Sequence, residues 1–466
     1  MSDDLTWMPA TEIRDRIAQG EVSPVEVTEH FLARIEEFNP TLKAFRSVDV
    51  AGAREQAKAA EAAVRRGDEL GPLHGIPLSV KEQLAVTGHP ILGVGFPEPV
   101  MEYDNLGVQR LREAGAVVFG TNTMMYTNGL RFGDDGKVIM AFDWDAEARN
   151  PWDTSRVPGW SSSGGAAAVA AGLIPIAIGT DGGGSTRLPA AYSGVVGLHP
   201  TGNLIPWADY HAPRPSPMMM SMGPMTRNVG DAAAMLQAMA GPDGRDFTVL
   251  QADPPDYSAN LGEGVEGMRF AWTDDFGFAE MYALEESPRV IAAVRSAAQG
   301  FSTLGATVTP TTEKWEDFFP GFIGATFLYP TGGPQPPMPE KDVWAFALDS
   351  RKRNYDKFRA LLRGEADLLL SATSQLLPRT VEEWEQNWTP GAKNFEPHGV
   401  FAPYYTSHTH MFNWLGFPAI SIPAGFVDGL PVGLQIVGLP GSETTIFKAA
   451  NAFLTAFPRN ERPTVS

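Results

Sequence analysis

Three short segments carry side chains whose chemistry could cooperate. In Gly75-Ile76-Pro77-Leu78-Ser79-Val80-Lys81-Glu82 a lysine closes an apolar, strand-like run. Burial there would disfavour the ammonium form and lower the pKa from its reference ~10.4, which is how a lysine becomes a general base near neutrality. A strand-end lysine that simply reaches water is the plainer alternative. In Pro158-Gly159-Trp160-Ser161-Ser162-Ser163-Gly164-Gly165 three hydroxyls precede an alanine-rich run that ends at Gly172. They could cap a helix start or relay protons. In Gly179-Thr180-Asp181-Gly182-Gly183-Gly184-Ser185-Thr186-Arg187 three glycines stand directly before a serine. Without Cβ atoms, successive backbone N–H groups can converge on an oxyanion, and Ser185 is placed to attack a carbonyl bound there. A phosphate cradle is the other use of such a loop, but the pattern G-x-x-x-x-G-K-[ST] is absent and no lysine follows the glycines.

Competing chemistries have less to stand on. No G-x-S-x-G elbow is present, and none of the eight histidines sits in a recognisable partner motif for a Ser-His-Asp triad. His408-x-His410 lacks an evident third ligand, so no metal is assigned. The chain has no cysteine, which removes disulfides, thiolate metal sites and every cysteine-nucleophile mechanism. No segment calls for a cofactor. With 36 basic against 55 acidic residues the net charge is −19, which repels phosphate backbones and anionic membrane surfaces. The partner expected is therefore a small molecule, not nucleic acid or a membrane. The longest apolar stretch, 166–178, is interrupted by Gly172 and Pro175 and falls short of the ~20 residues a membrane span needs. Asp3 and Asp4 stand where a signal peptide would be basic, so the expected location is the cytoplasm.

The elements that must position these segments alternate. Ser23-Pro24-Val25-Glu26 reads as an N-cap with proline at the first helical position, and the helix it opens carries Val27, Phe31 and Ile35. A second, alanine-rich helix over 51–66 ends at Gly67. Short apolar runs then alternate with helices: 76–80, a helix around 108–114 closed by Gly115, then 117–119. That alternation predicts an α/β fold. Runs 173–178 and 419–423 read as buried strands, and 432–437 as a hairpin partner after the turn at Asp428-Gly429, so the sheet should draw on both ends of the chain. One domain over 1–466 is expected: a helical part over about 1–70, a catalytic core over 71–240 and 398–466, and a substrate-covering surface insertion over 241–397. The insertion reading rests on irregular composition and the Pro-rich stretch 330–339.

Taken together, Lys81, Ser161-Ser162 before an alanine-rich helix, and Asp181-x-Gly183-Gly184-Ser185-x-Arg187 resemble the amidase signature family of serine hydrolases. The resemblance extends from Ser23-Pro24-Val25-Glu26 through Gly223-Pro224-Met225-Thr226-Arg227 to Asn413-Trp414-Leu415-Gly416-Phe417-Pro418 and Gly429-Leu430-Pro431-Val432-Gly433-Leu434-Gln435. It implies a mixed β-sheet core sandwiched by α-helices and a Ser-cisSer-Lys unit. Carried over by position, Ser185 is the nucleophile, Ser161 the relay following a cis peptide, and Lys81 the base. Gly182, Gly183 and Gly184 supply the oxyanion hole with the N–H of Ser185. Ser162 and Arg187 support the site, and Asp181 anchors the glycine loop.

The sequence departs from the family pattern in ways that bear on substrate. Trp160 stands where glycine is common, Ser163 replaces a glycine, and Gly165 occupies a position often serine. Met124-Met125 replaces an acidic pair ahead of Tyr126, and the segment after Thr201 lacks the usual basic run and leads to Trp207. With Met219 and the methionines around it, these residues predict an apolar pocket for an aryl or bulky apolar group. The expected activity is hydrolysis of the C–N bond of an amide or carbamate, with activity rising from pH 7 toward 9 as Lys81 loses its proton. Aryl acylamidases and urethanases of the family look closest, and a homodimer is compatible with them. The alternative is a glutamine-amidase subunit of a tRNA-dependent amidotransferase, which would need a polar pocket and a partner.

Overall fold

In a computed structural model of the chain, the alternating apolar runs assemble into one mixed sheet. The structure describes residues 2–91, 99–125, 130–132, 138–140, 146–207, 219–317, 339–387 and 405–465. In chain order the strands are β1 (Phe45–Val48), β2 (Pro77–Lys81), β3 (Val117–Asn122), β4 (Leu130–Phe132), β5 (Val138–Met140), β6 (Ile176–Asp181), β7 (Val196–His199), β8 (Ser221–Thr226), β9 (Arg269–Trp272), β10 (Thr307–Pro310), β11 (Leu368–Ala372), β12 (Ala419–Val427) and β13 (Leu430–Val437). Eleven of them form the main sheet, in the order β1-β3-β2-β6-β8-β7-β12-β13-β11-β9-β10, while β4 and β5 pair separately.

Local sequence explains the main joints. Ser23 and Glu26 make the reciprocal capping box that starts helix Pro24–Leu42, with proline at the start, and Gly67 ends helix Val50–Arg66 in the left-handed conformation. Asp428 and Gly429, at φ 53° and 78°, form the two-residue turn that joins β12 to β13. Both central residues lie at positive φ, as the twist of a tight hairpin requires. The C-terminal hairpin enters the sheet through β12 against β7, so the two ends of the chain share one core.

The surface-insertion reading of 241–397 needs correction. Strands β9, β10 and β11 lie inside that region and extend the sheet beyond β13, and helix Ser287–Ala298 packs on β11, β12 and β13. Phe270, Trp272, Val290, Val294 and Phe301 from the same region are buried in the main core. Such strands are only four or five residues long, too short to stand out against an irregular background. Most of the Pro-rich stretch lies outside the described residues.

What matters for chemistry is the adjacency of β2 and β6. They run parallel, with Leu78 opposite Ile176 and Val80 opposite Ile178, so both end at the same sheet edge. Lys81, last in β2, is thereby level with the Gly179-Thr180-Asp181 end of β6. The carboxyl ends of parallel strands are where α/β sheets open their clefts. Helix Ser163–Ala170, buried at every position, packs on β2, β3 and β6 and brings the serine segment to that edge. Among the described residues no helix is long and apolar enough to cross a membrane.

Candidate active site

Lys81 is buried at 1% exposure, which removes the solvated-lysine alternative. Its Nζ donates to Ser161 Oγ at 2.7 Å and to Thr180 Oγ1 at 2.7 Å, with the Thr180 carbonyl at 3.4 Å. Loss of water around the ammonium is the largest influence on it; the carboxylates of Asp181 and Glu82 oppose that effect, and the pKa settles at about 7.

The three serines go to three destinations, none of them a helix cap. Ser161 Oγ takes the hydrogen bond from Lys81. Ser162 makes no side-chain cap bond; its Oγ donates to the Thr180 carbonyl at 3.2 Å and accepts from the Thr180 N–H at 3.4 Å. A Cβ at Gly179 would stand 2.7 Å from Ser162 Oγ, so only glycine admits this contact. Ser163 Oγ donates to the Thr123 carbonyl at 3.3 Å. The Trp160–Ser161 peptide is cis.

Ser185 is half-buried, as are Gly182 and Gly183, while the loop beneath them is sealed. The Ser162 N–H donates to the Ser185 carbonyl at 3.1 Å, which ties the serine segment to the glycine loop. Among the described residues Ser185 Oγ holds no hydrogen bond, so the last link of a Lys81–Ser161–Ser185 relay is not closed in this arrangement. Such links commonly tighten only around substrate.

Asp181 and Arg187 hold the loop from below, both at 0% exposure. Arg187 Nε donates to Asp181 Oδ2 at 3.0 Å and Nη2 to Oδ1 at 3.1 Å. Burial works against charge on Asp181, but the Arg187 guanidinium, with help from His199 and Asn413, keeps its carboxyl well below the usual range. Asp181 also accepts from the N–H of Gly184 at 2.6 Å and from the hydroxyl of Thr186 at 2.8 Å. Here one expectation fails: Gly184 cannot serve the oxyanion hole, because its N–H is committed to Asp181. An acidic side chain three residues before a loop N–H readily makes such a bond. No hydrogen bond among the described residues engages the N–H groups of Gly182, Gly183 or Ser185. Gly184 itself sits at φ 129°, and a Cβ there would lie 2.3 Å from Thr409 Oγ1.

Five further residues were not singled out beforehand. Thr180 and Gln83 adjoin Lys81, the Thr180 hydroxyl donating to Gln83 Oε1 at 2.7 Å. Asn413 donates to Asp181 Oδ1 at 2.8 Å and accepts from Arg187, Gln435 accepts from Arg187 at 2.8 Å, and Thr409 Oγ1 donates to the Gly183 carbonyl at 2.6 Å. Asn413 and Gln435 lie within segments that carried the family resemblance, and that was the available signal. His408 and His410 are packed, donor or acceptor partners being the carbonyls of Asp274 and Thr406, and no metal-holding group of three or more such side chains occurs among the described residues.

The predicted pocket residues divide. Trp160 is half-buried beside Ser161, with ring centroids 5.9 Å from Trp384 and 6.2 Å from Tyr405, which themselves stack at 4.9 Å. Met125 is buried in that aromatic cluster, and its N–H donates to the Ser161 carbonyl at 3.1 Å. Met124 is half-buried, its N–H donated to Glu82. Met219 is buried in a cluster that includes Phe412 and Trp414, and its neighbour Met220 is the methionine whose methyl comes within 3.0 Å of a Cβ position at Gly182. Trp207 packs into the main core, its carbonyl accepting from Asn105. Tyr126 lies outside the described residues.

Known proteins resemble this chain across nearly its whole length. A family model described as Amidase matches residues 26–326 and 335–447. A glutamyl-tRNA(Gln) amidotransferase subunit from Symbiobacterium thermophilum is 32% identical over 98% of this chain and 99% of its own length. An acylamidase from Rhodococcus erythropolis is also 32% identical, over 98% of this chain and 96% of its own. Among solved structures, a bacterial aryl acylamidase of the amidase signature enzymes superposes with a TM-score of 0.81 at 25% identity, covering 97% of each chain.

Proposed function

The chain belongs to the amidase signature family of amidohydrolases, and from that premise we propose that it is a serine hydrolase of aryl or bulky apolar amides or carbamates. The observation that carries the proposal is the contact of a buried Lys81 with Ser161 Oγ at 2.7 Å, at the sheet edge where the glycine loop presents a half-buried Ser185. Neutral Lys81 takes the proton of Ser161 as Ser161 takes that of Ser185, and Ser185 Oγ bonds to the carbonyl carbon. The N–H groups of Gly182, Gly183 and Ser185 receive the oxyanion, a contribution of roughly 2.7–4 kcal/mol for an essential donor. The C–N bond breaks as Ser161 passes a proton to the leaving amine, and water then releases the acyl group by the same steps. On a carbamate, Ser185 would carry an alkyl carbonate that water cleaves to alcohol and carbon dioxide.

The aromatic cluster of Trp160, Trp384 and Tyr405, with Met125 against it, supports an aryl or bulky apolar group beside Ser161. The acylamidase and aryl acylamidase relatives support the same reading. The amidotransferase relatives, equally identical along the chain, favour a second one: a glutamine amidase that works with a partner. An apolar wall at Met124-Met125 suits glutamine poorly.

Release of an aromatic amine from a matched anilide and N-aryl carbamate, by the wild type and by Ser185→Ala, tests the proposal. Release that Ser185→Ala abolishes is expected, with the ratio of the two substrates separating amidase from urethanase. Ammonia release from glutamine with neither aryl substrate turned over would transfer the assignment to the partner-dependent glutamine amidase.

A further inference from the structure

The hydrogen bonds around Lys81 Nζ have a direction as well as a length. A neutral amine has two N–H donors and one lone pair, and only the lone pair can take a proton from Ser161. Three oxygens face Nζ: Ser161 Oγ, Thr180 Oγ1 and the Thr180 carbonyl. The carbonyl can only accept. A threonine hydroxyl can accept or donate, and if Thr180 donated to Nζ it would occupy the lone pair that Ser161 needs. The structure shows where that hydroxyl proton goes: to Gln83 Oε1, at 2.7 Å. With its one proton spent, Thr180 Oγ1 can only accept from Lys81. With both amine N–H groups given to Thr180, the lone pair is left for Ser161 Oγ, 2.7 Å away.

We propose that Gln83 is a positioning residue for the base: by accepting the Thr180 hydroxyl proton it sets the polarity of the Thr180–Lys81 hydrogen bond and keeps the Lys81 lone pair on Ser161. The inference rests on the assignment of Lys81, Ser161 and Ser185 proposed above. Gln83 needs no contact with substrate to act this way. The charged groups facing Lys81 are Asp181, from the end of β6 and paired with Arg187, and Glu82, which lies 3.6 Å from Arg46.

The test is the rate at which a fluorophosphonate labels Ser185, followed against pH, which requires no knowledge of the substrate. Gln83→Leu removes the acceptor, and its alkaline plateau should fall by about two- to tenfold, the factor of one net hydrogen bond. Gln83→Glu has only acceptor oxygens and adds a negative charge, so it should keep the plateau within about twofold and move the acid limb to higher pH. A plateau for Gln83→Leu equal to wild type overturns the inference. So does an equal loss in both variants with the limb unmoved, which would make Gln83 a packing residue. Should Gln83→Leu fail to fold alone, Thr180→Val removes the hydroxyl that Gln83 directs: adding Gln83→Leu to it should change the labelling rate no further, and an added loss refutes the role. A wild type that takes no label at Ser185 overturns the parent assignment instead, and this one with it.

Discussion

If Lys81 is the base, as proposed above, the reaction has an acid limb set by the Lys81 ammonium. Burial brings Lys81 to about 7 from an ordinary 10.5, against the pull of Asp181 and Glu82. At pH 7 about half of the enzyme then holds a neutral base, whereas an unperturbed lysine would be neutral in about one molecule in 3,000, so burial multiplies the active form by on the order of 10³. The sign is that protonation removes the base, so activity falls as pH drops below the midpoint. From pH 6 to pH 8 the neutral fraction climbs from about 9% to about 91%, so kcat/KM for an anilide should rise about tenfold and then level off. Lys81→Arg keeps a positive charge but has no usable lone pair, and should lose both the limb and the activity. Glu82→Gln removes a carboxylate that favours the ammonium form, and should move the limb to lower pH. A profile flat from pH 6 to 8, or a limb centred near pH 10, would refute the reasoning, as would an upward displacement in Glu82→Gln.

Two further substitutions probe the parts around the base. Asp181→Asn leaves the Arg187 guanidinium buried without its counter-charge and should cost about 3–5 kcal/mol, read as a lower urea midpoint, with activity lost in the fraction that remains folded. Trp160→Gly removes the ring beside Ser161 that lies tilted against Trp384 and Tyr405; it should lower kcat/KM for an aryl amide by roughly 10–200-fold relative to a small aliphatic amide, whereas an unchanged ratio would place the aryl group elsewhere.

How much of this could be read from the chain depends on whether residue type or register decides. Lys81, the Ser161-Ser162-Ser163 run and Ser185 stood out by residue type next to particular punctuation, an apolar run, an alanine-rich helix and a glycine loop, whereas the choice of Ser161 among the three serines came from the family resemblance. The Ser23 cap and the Asp428-Gly429 hairpin were legible for the same reason, since local backbone geometry selects their residues. Thr180 and Gln83 were not. A threonine inside a strand reads as ordinary β sequence, and its meeting with a glutamine 97 positions away follows only from the pairing of Val80 with Ile178 across parallel strands. The error at Gly184 is of a related kind. Sequence can count the N–H groups that a glycine loop offers, but how many remain for substrate depends on what the loop itself consumes, and here Asp181 takes one of them to hold the others in place. The residues that make a site possible are identifiable by type. Those that orient its protons are identifiable only once the hydrogen bonds are followed to their ends.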